Sequence, residues 1–260
     1  MSLKRIKESL YKNRFLFEEL VKRDFKRKYK ETTLGVVWSL MSPLLMLLVM
    51  SLVFSEILGR NAPHYNTYLF SGNIVMNFYR EATKNGMGSL YANRKVIEKI
   101  NIPKYLYIFS ENVSALLNFA LTVVVYLLFC LLDHIHFGFH MFALIFPIVF
   151  LTIMNVGVGM ILSAWNVFFR DMKYLYDVFL RLLTYVSAIF YQVDRFPAHV
   201  QKYFLLNPVY VFIKYFRTVT IDQTIPSLSY HLLCMFYALF FFGAGCLIYK
   251  KYNTEFIYYL

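Results

Sequence analysis

The sequence predicts an all-α polytopic membrane protein, with six transmembrane helices, an N-terminal amphipathic interface helix, a cytoplasmic coupling helix and an outer re-entrant segment. Three observations lead there. Hydrophobic residues make up 59% of the 260 residues and charged residues only 16%, whereas soluble domains carry nearer one quarter charged. A water-soluble fold of this size has too little polar surface to cover so much apolar side chain. Four runs, 36–58, 105–132, 141–165 and 231–249, approach or exceed the ~20 apolar residues a bilayer crossing needs. Finally, the net charge of +12 is concentrated at the N-terminus and beside particular helix ends, which is the pattern that orients membrane spans.

The N-terminal segment opens with a dense series of cations, from Lys4 and Arg5 to Lys28 and Lys30. Such a cluster beside a first span holds it in the cytoplasm. Within it, residues 10–33 space Leu10, Phe15, Phe17, Leu20, Val21, Phe25 and Tyr29 mainly by three to five, which predicts a basic amphipathic helix on the inner leaflet. No cleavable signal peptide is expected, because the first thirty residues are charged rather than apolar.

Span one is 36–58, and the loop 59–66 after it holds only Arg60 as a cation, so it faces outward. Span two, about 65–83, is interrupted by Asn66, Ser71, Asn73 and Asn77; it is counted because the cation-rich loop 84–104 must lie inside. Span three is 105–132, followed by an outer loop, 133–140, without Lys or Arg. Span four, 141–167, ends inside at Arg170, Asp171 and Lys173; span five is 175–192; the last, 231–249, ends inside at Lys250 and Lys251. Segment 204–219 is apolar but contains Asn207-Pro208, Lys214 and Arg217. Those groups are costly in lipid unless covered, and a crossing there would put the last cations outside. It reads as re-entrant or as lying at the outer interface, where protein or a water-filled cavity covers it.

Several function classes are excluded. The positive charge serves topology and implies no nucleic-acid groove. Cys130, Cys234 and Cys246 lie in apolar segments with no zinc or disulfide spacing. His134, His136 and His140 form HxHxxxH in an outer loop, read as solvated rather than metal-binding. No Walker A sequence occurs, and Gly86-Met87-Gly88 lacks the Lys-Thr that would make it one. No hydrolase or kinase motif and no acid–base carboxylate pair is found. The chain is expected to have no catalytic residue, no metal and no cofactor of its own.

Other polar groups have structural expectations. Asp177 and Arg181 stand one helical turn apart as an i,i+4 pair. Glu111 in span three is read as meeting a cation near the inner face or as functional. Gly157 and Gly159, with Ser163 and Ala164, allow close helix approach. Pro43 and Pro147 can kink spans one and four. The outer-end aromatics fit both an interfacial belt and a lining that stacks on sugar rings. The internal stretch RKVIEKINIP, residues 94–103, mixes cations with spaced Ile and Val between two apolar regions, as expected of a docking helix for a soluble partner.

Together these residues resemble the membrane subunit of ABC-2 type exporters of lipid-linked polysaccharide. Residues 26–43, KRKYKETTLGVVWSLMSP, resemble the family's basic stretch, LGxxW and following proline through Leu34, Gly35, Trp38 and Pro43. Ile102-Pro103 after a basic helix resembles its coupling helix, Phe169-Arg170-Asp171 its FRD element, and Leu206-Asn207-Pro208 its outer re-entrant region.

The resemblance implies an interface helix at 1–33 and a transmembrane domain at 34–260, with the coupling helix at about 93–104 and the re-entrant region at about 196–222. It implies a homodimer in the bacterial cytoplasmic membrane, both termini inside, joined to two copies of a separate ATP-binding subunit that carries ATP and Mg. The substrate would be a polyprenyl-linked glycan such as O-antigen, capsule or teichoic acid. Arg94, Lys95, Ile97, Glu98, Lys99, Ile102 and Pro103 would couple to the ATPase. Trp38, Phe70, Phe78, Tyr191, Phe212 and Phe216 are candidate lining of the path, and Arg23, Arg27 and Lys30 would attract the anionic headgroup. The alternatives are an ABC-2 exporter of a small molecule or peptide, a membrane enzyme of glycolipid assembly, and an ion-coupled flippase.

Overall fold

The computed structural model describes residues 14–29, 35, 37–54, 64–99, 102–253 and 255–259. Among them every regular element is helical. In chain order these are α1 (Arg14–Tyr29), α2 (Val37–Phe54), α3 (Tyr65–Ala92), α4 (Arg94–Ile97) and α5 (Tyr105–Leu132). A 3-10 turn, Phe139–Leu144, leads into α6 (Ile145–Phe168), followed by α7 (Met172–Val186) and a second 3-10 turn, Val193–Arg195. The chain ends with α8 (Ala198–Phe204), α9 (Pro208–Thr220), α10 (Leu228–Tyr252) and α11 (Phe256–Tyr259).

Three helical stretches, Tyr105–Leu132, Phe139–Phe168 and Leu228–Tyr252, are long and apolar enough to cross a membrane. They correspond to the expected third, fourth and last spans, and the chain is a membrane protein. The outward faces of α5, α6 and α10 carry exposed Val124, Leu128, Ile145, Val149, Phe236 and Phe240, side chains suited to lipid. α2 begins after Gly35, whose φ of 52° suits glycine, and it exposes Leu45, Leu48, Val49 and Leu52 along its length.

α6 is the central helix, packed between α10 on one side and α3 on the other. Missing side chains make both crossings close. A Cβ on Gly157 would lie 2.4 Å from the backbone of Phe241 and Phe242 in α10, and one on Gly245 would lie 2.7 Å from the Gly157 carbonyl oxygen. At the other crossing, a Cβ on Gly86 of α3 would stand 3.1 Å from the Cα of Gly159. Backbones this near gain dispersion contacts that stand in for a hydrophobic drive between helices in lipid. Gly157→Val is therefore expected to force α10 off α6 and destabilise the protein by about 1–3 kcal/mol, read as a lower melting temperature in detergent. Gly243→Ala, whose Cβ meets nothing within 4 Å, should leave melting unchanged or slightly raised.

Three boundaries differ from expectation. α3 does not stop near Thr83 but continues to Ala92, because the polar residues that suggested an end lie along a strip of the helix rather than around it. α7 stops at Val186, and residues 187–192 are irregular, held by side-chain contacts described below. The basic stretch yields only a four-residue helix, Arg94–Ile97; residues 100 and 101 lie outside the described set. Of the expected helix 10–33, the part described is α1. The segment expected to be covered forms α9, whose Val209, Val211, Phe212, Ile213, Tyr215, Phe216 and Val219 are all fully buried in the protein core.

Candidate functional site

Beside α3 lies a cavity of about 490 Å³, walled by α2, α3 and α5. Its apolar lining is Trp38, Pro43, Ile74, Phe78, Ala115 and Phe119. Its polar lining is a strip of α3, Asn77, Arg80, Glu81, Lys84 and Asn85, joined by Asn118 and Thr122 of α5. Helical spacing explains the strip: residues 77, 81, 84 and 85 recur at three- and four-residue intervals and share a face. Asn118 donates to the Glu81 Oε1 at 2.7 Å across the cavity. Arg80 donates to Asn77 at 3.2 Å and to the Thr184 hydroxyl of α7 at 3.0 Å. Lys84 pairs with Asp177 of α7 at 2.7 Å. Asp177 thus reaches across to α3 instead of along its own helix to Arg181.

The expected path residues separate into three positions. Trp38 and Phe78 line the cavity, and Phe70 lines a small crevice that adjoins it through Pro43, Ile74 and Asn77. Phe78 stacks on Phe119 with ring centroids 4.4 Å apart. Phe216 packs edge-on behind Phe119 at 6.2 Å, and like Phe212 it is fully buried. Tyr191 sits at the other end of the molecule in an aromatic group with Phe196 and Phe204.

That end is organised by Arg217, only 4% exposed. Its guanidinium donates to the carbonyls of Ala188, Ile189 and Tyr68 and to the Ser71 hydroxyl, at 3.0–3.4 Å. It also stacks over the Tyr68 ring at 3.4 Å from the centroid. Arg217 therefore fastens α9 to α3 and to the irregular stretch after α7. Asn207 strengthens the join: its Oδ1 caps α9 at the amides of Val209 and Tyr210, and its amide donates to Ser187 at 2.9 Å. Pro208 at the first helical position needs no donor, which suits it to this cap.

At the opposite end a second apolar cluster gathers Leu20 of α1, Leu90 of α3, Ile97 and Ile102 of the coupling stretch, Tyr105 to Ile108 of α5, Val167 of α6, Tyr249 of α10 and Phe256 of α11. Ile97 and Ile102 are 8% and 7% exposed. The residues this leaves on the surface are Arg94, Lys95, Glu98 and Lys99, with Arg94 paired to Glu98 at 2.8 Å. Pro103 is half-buried. Lys104 donates to the Asn253 carbonyl, and burial pulls its pKa below the ordinary lysine value. Arg170 of the FRD element lies against Tyr91, 5.7 Å from the ring centroid.

α1 is tied to this cluster through Asp24, whose side chain is fully buried; it accepts from the Ser110 hydroxyl at 2.8 Å and pairs with Arg23 at 2.7 Å. Of the cations expected to attract a headgroup, Arg23 is thus engaged with Asp24, while the Arg27 side chain and Lys30 lie outside the described residues. Glu111, next to Ser110, is buried.

Sequence reasoning did not single out Arg80, Lys84, Asn118, Asp24 or Lys104. Arg80 had a visible signal, a cation beyond Asn77 in a segment that otherwise keeps helical periodicity. The others depend on contacts between distant segments.

Long apolar helices, a cavity lined by both polar and apolar side chains, and a charged surface at one end describe a helical membrane protein. The chain belongs to the ABC-2 type transporter family, whose profile it matches over residues 16–221. It is similar to the O-antigen export system permease protein RfbA of Klebsiella pneumoniae, 25% identical over 252 residues, spanning 93% of this chain and 95% of that protein. It is also similar to the capsule polysaccharide export inner-membrane protein CtrC of Neisseria meningitidis serogroup A, 22% identical over 87% of this chain and 88% of the other. The polysialic acid transport protein KpsM of Escherichia coli is 24% identical over 84% of this chain and 86% of its own length.

Proposed function

We propose that this chain is the permease subunit of an ATP-driven exporter that moves lipid-linked polysaccharide across the bacterial cytoplasmic membrane. The observation that carries the reading is its similarity, over most of its length, to relatives named for O-antigen and capsule polysaccharide export. The cavity agrees with it, since a lining of both apolar and polar side chains suits a substrate with a lipid and a glycan part.

In this reading residues 1–33 are the interface helix and 34–260 the transmembrane domain. Six spans, α2, α3, α5, α6, α7 and α10, cross the bilayer, and both termini lie in the cytoplasm. Residues 196–222 form the outer re-entrant region, and α9 with its buried Arg217 is its inserted part. Two copies of the chain enclose the path, each bound to a separate ATP-binding subunit where ATP and Mg are held. Arg94, Lys95, Glu98 and Lys99 meet that subunit, while Ile97, Ile102 and Pro103 seat the coupling segment on the membrane domain and pass its motion inward. Trp38, Phe70 and Phe78 face the substrate, Phe216 supports Phe119 from behind, Phe212 lies deeper in the core beside the path, and Tyr191 lies at the exit. Arg23, Arg27 and Lys30 draw anionic headgroups to the inner face.

Deletion of the gene tests the reading. Lipid-linked polysaccharide is expected to accumulate inside the cell and to vanish from the surface. Unchanged surface polysaccharide, with loss of export of a small molecule or peptide, would overturn it.

A further inference from the structure

We infer that the cavity beside α3 holds an oxyanion, with Arg80 as its receptor and Lys84 as a second, releasable cation, and that the anion is the phosphate or pyrophosphate joining lipid to glycan. This rests on the proposed function above. Arg80 lies near the middle of α3, about 22 Å from Tyr65 and about 18 Å from Ala92 at ~1.5 Å per residue. A cation at that depth is costly and faces a cavity or a partner. Arg80 faces the cavity, and the two groups it donates to, Asn77 and Thr184, are both neutral. They hold the fork of the guanidinium in place without offsetting its charge. The charge is thus oriented and left to be matched by something that enters.

The other groups around it fit this role. The walls contributed by α2 and α5 carry no further cation: Trp38, Ser42 and Pro43 on one, Ala115, Asn118, Phe119 and Thr122 on the other. Glu81, the carboxylate of the lining, accepts from Asn118 and stays charged, so the cations outnumber it only where Lys84 leaves Asp177 and joins Arg80. Lys84, one turn along α3, is half-exposed and paired to Asp177, so an arriving anion competes with Asp177 for it. The chemistry of the walls then selects among anions. A phosphate between a hydrocarbon chain and a sugar has an apolar side and a hydroxyl-rich side, and the lining offers both chemistries, with Ile74, Phe78 and Phe119 beside Asn77, Asn85, Asn118 and Thr122. A planar guanidinium binds phosphate oxygens two at a time. A carboxylate on an acidic sugar presents the same charge without the apolar side.

The test uses the full chain assembled with its ATP-binding partner in lipid nanodiscs, and compares binding of undecaprenyl diphosphate with that of uncharged undecaprenol. The wild-type complex is expected to prefer the diphosphate by about tenfold or more, the size of a charge-assisted contact. Arg80→Gln should abolish the preference and Arg80→Lys should keep part of it. Asp177→Asn, by freeing Lys84, should tighten diphosphate binding severalfold, a gain that a misfolded variant cannot produce. An unchanged preference in Arg80→Gln at wild-type melting temperature would overturn the assignment. So would a wild-type complex that binds both lipids equally, or competition by a soluble acidic oligosaccharide as effective as the diphosphate. None of these outcomes touches the exporter reading, which stands or falls on the surface polysaccharide of the deletion strain.

Discussion

Arg217→Leu is expected to destabilise the protein by about 2–5 kcal/mol, the cost of taking a charged donor from several buried neutral acceptors at once. The guanidinium ties together three parts of the chain at one point: α9, the turn of α3 around Tyr68 and Ser71, and the carbonyls of Ala188 and Ile189 after α7. Leucine fills part of the space but leaves those carbonyls without their donor, and each such loss costs about 1–3 kcal/mol. It also removes the stack over Tyr68. Melting of the purified protein in detergent measures the effect. Gly72→Ala approaches the same join from α3, because its Cβ would stand 2.9 Å from the guanidinium, and should destabilise in the same direction. Lys214→Met removes only an exposed pair with Asp194 at 3.3 Å and should change stability by less than ~1 kcal/mol. If Arg217→Leu melts like wild type, the three segments are held by apolar packing alone.

Arg94→Glu combined with Lys95→Glu is expected to abolish capture of the ATP-binding subunit and to lower ATP-dependent export by on the order of tenfold or more. Both side chains are exposed, so the membrane domain should melt as before. Capture by the wild-type protein should weaken as salt is raised, since exposed charges are screened within about 10 Å at ~0.1 M. Ile97→Asp with Ile102→Asp should behave differently. Those side chains lie in an apolar cluster with Leu20, Tyr105 and Tyr249, and a carboxylate there is desolvated without a partner. The double aspartate variant should lose stability before it loses capture. Capture lost in Ile97→Ala with Ile102→Ala at unchanged stability, but kept in the charge-reversed variant, would mean that the partner grips the apolar side.

The contrast shows where sequence reading reaches its limit. The three long apolar helices were legible because length and composition alone decide that they suit lipid. Burial of α9 was legible in outline: Lys214, Arg217 and Asn207 so close together demand cover, though not which carbonyls supply it. Ile97 and Ile102 were read as facing a soluble partner and instead face inward, because spacing shows that two apolar residues share a side and not whose surface they meet. The length of α3 was hidden for a related reason. Asn77, Arg80, Glu81 and Lys84 lower the local hydropathy as a loop does, yet they occupy one strip against a cavity. Pairing of Asp177 with Lys84 was beyond local patterns, which offer only the nearer Arg181.

The cluster that buries Ile97 and Ile102 also receives Leu20 from α1, Val167 from the end of α6, and Tyr249 and Phe256 from the end of the chain, with Lys104 tied to the Asn253 carbonyl. If residues 94–103 receive the push of a partner, as proposed, that push meets side chains already packed together. Interlocked side chains of this kind transmit displacement instead of yielding. α1 and the adjoining ends of α5, α6 and α10 should travel as a single lever. Compliance is left to α2 and α7, whose surfaces are exposed along most of their length and which flank the polar strip of α3. The joints of the machine are thus the two helices that border the charged strip of α3 with most of their own surface uncovered.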